Sequence, residues 1–134
     1  MQEPTEPIAT RNPWSPFAIA ILTLLFSPLV GGILHGLNSA RLGQGRLRRF
    51  VLARNLLASL LFILVSAVLQ EARFQPTGAS LLFAAYFYKS QEGPFQECLS
   101  HGGKKGSLAT AILIALLVAL GALLFGVGLL LLSR

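Results

Sequence analysis

The chain has no aspartate, one cysteine and only five acidic side chains, Glu3, Glu6, Glu71, Glu92 and Glu97. None of the five lies inside a long apolar run. The intramembrane carboxylate that a small proton-coupled exporter needs is therefore missing, and so are the acidic clusters that hold metal for phosphoryl or alcohol transfer at a membrane. A lone thiol, Cys98, excludes an intrachain disulfide. The N-terminal stretch MQEPTEPIATRNPW lacks the basic start of a signal peptide, and its prolines and polar residues mark residues 1–15 as a disordered tail.

Apolar surface is what the chain has in abundance. Of 134 residues, 54% are hydrophobic, and the run at 107–132 carries no charge at all. About 20 helical residues cross a hydrocarbon core of about 30 Å, and a helix that is apolar on every face is of little use to a water-soluble domain. The length leaves room for one domain, residues 16–134. The net charge of +6 is carried in the short links between apolar runs and not on one face of a soluble fold, which argues against a nucleic-acid partner.

The expected fold is all-α: an integral membrane helical bundle of about four segments, at about 16–38, 50–69, 74–90 and 107–132, with a short interfacial helix before the last. Ser15 and Pro16 open the first segment, with Trp14 as an interfacial anchor. Within it, Pro28 removes a backbone donor and Gly31 and Gly32 follow, so a kink or break is expected there. Gly32 and Gly36 give that segment a flat face for close helix packing. In the last segment Ala111, Ala115 and Ala119, extended by Ala122 and Gly126, form a similar stripe.

Basic residues set the expected orientation. Arg41, Arg46, Arg48, Arg49 and Arg54 crowd the link at 39–55, and Lys104 and Lys105 precede the last segment. The third segment is short, so crossing and re-entrant readings compete. If it crosses, eight Lys and Arg share one side against three on the other; if it does not, the division is six to five. The positive-inside bias favours crossing, with 39–55 and 89–106 cytoplasmic in a plasma (inner) membrane and both termini outside. These basic residues also suit anionic lipid headgroups. Between the third and fourth segments, Gly93-Pro94 and Gly102-Gly103 bracket the interfacial helix.

FSPLVGG at 26–32, Asn38, Leu42-Gly43, Gln91-x-Gly93 and HGGKKGS at 101–107 together make the chain similar to a set of small bacterial multi-pass inner-membrane proteins. That resemblance implies a four-segment bacterial membrane fold and carries no activity.

His35 is the one ionisable residue well inside an apolar stretch, a candidate intramembrane polar site whose simplest reading is a hydrogen-bonded packing histidine. Glu97, Cys98 and His101 fall within five residues but are one ligand short of a closed zinc site. No catalytic set and no cofactor are expected. The leading functional reading is a non-catalytic accessory or structural membrane protein acting by helix packing with itself or with a membrane-protein partner. The alternative is a small oligomeric transporter or channel using the kinked first helix.

Overall fold

The computed structural model describes residues 12–45, 48–69 and 77–133. They form five helices: α1 (Pro16–Leu25), α2 (Pro28–Arg41), α3 (Arg48–Leu69), α4 (Thr77–Ser100) and α5 (Leu108–Leu132). The described residues contain no strand. Among the described residues two helices, α3 over Arg48–Val68 and α5 over Leu108–Leu132, are long and apolar enough to cross a membrane, fewer than the four segments expected.

The first segment departs most from the sequence reading. Phe26 and Ser27 leave the helix, with Ser27 fully extended at φ 178° and ψ 164°, and Pro28 starts α2 with Ser27 Oγ accepting from Val30 N. The helix breaks at this point, and the chain reverses. Trp14 and Asn38, 24 residues apart, are hydrogen-bonded to each other. In a helix running through, they would stand about 36 Å apart. At the other end of the pair, Gly31 lies so close to Thr23 that a Cβ there would collide with its side chain. The expected crossing over 16–38 is thus replaced by an antiparallel hairpin, about 15 Å deep along the ten residues of α1.

The interfacial anchor is corrected with it. Residues 1–11 lie outside the described residues, but Pro13 and Trp14 are buried, Trp14 at 1% exposure in a core with Ile19, Leu22, Val30, Leu34, Phe87, Ala111 and Ala115. Ser15 and Ser107 occupy the positions before α1 and α5, yet neither side chain caps its helix.

The hairpin is the centre of the bundle. Antiparallel α3 lies along α2, Pro28 facing Ser59, Gly32 facing Asn55 and Gly36 facing Leu52. On the other side α4 packs against α1 and reaches α2, while α5 rests on α1 and α2. A single 24-residue α4 replaces the expected short third segment and separate interfacial helix. Pro94 sits inside it: a proline removes one backbone donor, and here the buried Phe95 holds the next turn in the bundle. The helix stops where Gly102 takes φ +84°, with Gly103 N bonded to Cys98 O and Gly102 N to Leu99 O, a closing pattern that requires a left-handed residue. Gly43, at φ +85°, ends α2 in the same way.

This folding sorts the charges. Asn12 meets Arg41, and Gly106 N bonds to Pro13 O, so the start of the described chain and both basic links share one end of the bundle. Every charged side chain among the described residues belongs to that end, and the residues of α3, α4 and α5 beyond it are uncharged.

Candidate functional site: a buried polar network

α2 presents a row of polar groups beside the apolar core, and α3 and α4 answer them with their own. His35, Asn38, Ser39, Asn55, Ser59 and Gln91 are all buried. A buried polar group left unpaired costs about 1–3 kcal/mol, and more in hydrocarbon, so these side chains must find one another.

Asn38 Nδ2 donates to Gln91 Oε1 at 2.9 Å and to Trp14 O at 3.0 Å, and Asn38 Oδ1 accepts from Trp14 N at 2.7 Å. Gln91 Nε2 donates to His35 O at 2.8 Å and to Ser39 Oγ at 3.1 Å, while Ser39 Oγ donates to His35 O at 3.0 Å. Across the other face, Asn55 Nδ2 donates to Gly32 O at 3.2 Å and lies 2.9 Å from His35 Nδ1. His35 Nε2 lies 2.8 Å from Ser90 Oγ, and its ring stacks on Phe87 with centroids 4.7 Å apart. Ser59 Oγ donates to Pro28 O at 3.2 Å, satisfying a carbonyl near the hairpin tip.

A serine, a histidine and an asparagine therefore meet in one line. Their hydrogen bonds run in the wrong sense for a nucleophile and its base. Because Asn55 Nδ2 donates to Gly32 O, the same nitrogen faces His35 Nδ1, which must accept; the ring proton then sits on Nε2 and is donated to Ser90 Oγ. A base that activates Ser90 would instead have to accept from the hydroxyl at Nε2. Ser90 in turn donates to Phe87 O at 3.3 Å. As arranged, the network joins three helices and leaves His35 no free ring nitrogen.

The residues singled out in sequence fall into distinct places. Pro28, Gly31 and Gly32 form the turn into α2, and Gly32 and Gly36 let α3 approach: a Cβ on Gly36 would collide with the Leu52 side chain. Ala111 and Ala115 are buried and Ala119 half-buried, whereas Ala122 and Gly126 are exposed. The stripe is used only as far as the half-length hairpin reaches. Arg41 lies 3.8 Å above the Trp14 ring and donates to Asn12 O at 2.9 Å. Arg48, Arg49, Lys104 and Lys105 are exposed, as is Arg54, whose guanidinium lies 5.5 Å over the Tyr86 ring. Arg46 falls outside the described residues.

Glu97, Cys98 and His101 do not converge; among the described residues no three His, Cys, Asp or Glu side chains group as metal ligands. Asn55, Ser59, Ser90 and Gln91 were not read from sequence as site residues. Ser59 is a polar residue about three turns inside the apolar helix α3, a signal that marks it, whereas Asn55, Ser90 and Gln91 stand beside Arg54, Lys89 and Glu92 and carry no such signal. No protein-family model, curated protein or solved structure matches this chain.

Proposed function

We propose that this is a multi-pass inner-membrane protein with no catalytic role, acting by packing α5 against a membrane-protein partner. The observation that carries this reading is the contrast within α5. Its first half is fitted to the hairpin through Ala111 and Ala115, while Leu120, Leu123, Leu124, Phe125, Val127 and Leu130 are all at least half exposed. The polar groups around His35, meanwhile, are spent on one another, while Trp14 Nε1 and Ser66 Oγ are buried without a hydrogen-bond partner. A scaffold whose polar network is spent internally and whose last helix has an unclaimed face suits association rather than turnover.

The proposed topology follows from the hairpin. With α1 and α2 re-entrant, and α3, α4 and α5 crossing, the N-terminal segment and the links at 39–55 and 89–106 lie on the cytoplasmic side and the end of α5 on the other. Nine of the eleven Lys and Arg are then inside, all but Arg73 and Arg134. That is a stronger positive-inside bias than the eight to three of a crossing first segment. The apolar part of α4 is short, and local thinning of the bilayer accommodates it.

The half-depth hairpin also favours a second reading, an oligomeric channel or transporter in which non-helical backbone at membrane depth borders a pathway. Purification from native membranes in mild detergent followed by native mass spectrometry separates the two. A heteromeric partner supports the accessory role. A homo-oligomer alone, with solute flux in proteoliposomes, replaces it with the transporter.

A further inference from the structure

The break at Ser27 leaves backbone groups without partners at the deepest point of the hairpin. Phe26 N bonds to Leu22 O, but among the described residues nothing donates to the carbonyls of Thr23, Leu24, Leu25 and Phe26 or accepts from the amides of Ser27 and Leu29. The C-termini of α2 and α4 are treated differently. α2 closes through Leu42, Gly43 and Gln44, and α4 through His101, Gly102 and Gly103, each amide bonded back to a carbonyl of its own helix. Those capped ends lie with the basic links, where water serves them. The uncapped end of α1 lies about 15 Å farther in, along the ten residues of that helix.

An unsatisfied backbone group costs several kcal/mol in hydrocarbon, so non-helical backbone at membrane depth persists only where protein buries it or water reaches it. This chain does not bury the tip, since Leu25 is 71% exposed and Phe26 and Ser27 are half-buried. A lipid tail has neither donor nor acceptor. A neighbouring helix spends its amides within itself, whereas water donates to the carbonyls and accepts from the two amides at once.

The approach from the basic end is closed by Trp14, Ile19, Leu22, Val30, Leu34 and Phe87, each at 5% exposure or less. Past the tip, α3, α4 and α5 continue without close backbone approach to one another among the described residues, α3 and α4 meeting there through the Phe62 and Phe83 rings. A second polar group lacks a partner on that side. Ser66 is seven residues past Ser59, so it shares a face of α3 with it and stands about 10 Å beyond the tip, where Ser59 bonds to Pro28 O. Its Oγ is buried and unpaired. We infer that water enters from the side opposite the basic links, passes Ser66 and hydrates the open tip of the hairpin at residues 23–27, a blind aqueous inlet closed below by the core. The inference rests on the re-entrant topology and holds whichever partner α5 meets.

Thiol labelling of the full-length protein in sealed vesicles of known orientation tests it, with an impermeant, permanently charged methanethiosulfonate and with Ser27→Cys, Ser66→Cys and Leu60→Cys each made in a Cys98→Ser background. Leu60, next to Ser59 and 58% exposed, is the lipid-facing control at the depth of the tip. Ser27→Cys and Ser66→Cys should label from the side on which Ser133→Cys labels and not from the other, and Leu60→Cys should label from neither, because the reagent attacks a thiolate and a thiolate forms only where water reaches it. If Ser27→Cys does not fold, Ser66→Cys carries the test. Protection of Ser27→Cys or of Ser66→Cys, labelling from the side of Asn12→Cys alone, or labelling of Leu60→Cys as fast as theirs would each overturn the inlet and leave the hairpin standing. Labelling of Asn12→Cys from the side opposite Cys98 would instead overturn the topology on which the inlet rests.

Discussion

Asn38 closes the α1–α2 hairpin by holding both backbone groups of Trp14: its Oδ1 accepts from Trp14 N at 2.7 Å and its Nδ2 donates to Trp14 O at 3.0 Å. The same side chain reaches α4 through Gln91. Replacing it with alanine strands a buried N–H and a buried carbonyl, so Asn38→Ala should lose about 1–3 kcal/mol per orphaned group in reversible unfolding in detergent. The double variant Asn38→Ala with Gln91→Ala should fall short of the sum of the single losses by about 0.5–3 kcal/mol, because the two share one bond. Strict additivity would show that the Asn38–Gln91 bond contributes nothing.

Two glycines on packing stripes are expected to behave oppositely. Gly36→Ala drives a methyl into Leu52 and should destabilise the protein by about 1–3 kcal/mol. Gly126→Ala meets nothing within 4 Å and should leave the stability of the isolated chain unchanged, or raise it slightly through helix propensity. In native membranes the same Gly126 change should reduce co-purification of an α5 partner. Loss of stability in the isolated protein would instead mean that this part of α5 packs within the chain.

The hydrogen bonds around His35 specify one tautomer. With Asn55 Nδ2 facing Nδ1 and Ser90 facing Nε2, nitrogen-15 NMR of selectively labelled histidine should show a protonated Nε2 and a bare Nδ1. The variant Asn55→Asp offers an acceptor in place of the amide donor and should move the proton to Nδ1. A wild-type ring already protonated at Nδ1 would make His35 a base toward Ser90 and reopen a catalytic reading.

Only some of this was legible in the sequence. Helix α5 and the apolar body of α3 announce themselves, because a long run that is apolar on nearly every face needs no long-range information to be recognised as a helix. The hairpin did not, since Ser27-Pro28 suits a kinked through-helix as well as a reversal, and the contact that decides between them joins Trp14 to a residue 24 positions away. Gly93-Pro94 gave a false boundary: one missing donor does not end a helix whose next turn, at Phe95, is buried. The network was hidden for a related reason. Asn55, Ser90 and Gln91 each lie near the polar end of an apolar run, where they read as ordinary boundary residues until three helices bring them together at the level of His35.

The reversal at Ser27 is the point from which topology, site and partner face all follow, and thiol accessibility tests it most directly. An impermeant maleimide applied to sealed vesicles of known orientation would be used on the native protein, where Cys98 is the only thiol, and on Asn12→Cys and Ser133→Cys made in a Cys98→Ser background. The re-entrant hairpin requires positions 12 and 98 to label from the same side and position 133 from the opposite one. Labelling of Asn12→Cys from the side opposite Cys98 would restore a crossing first segment and contradict the hairpin.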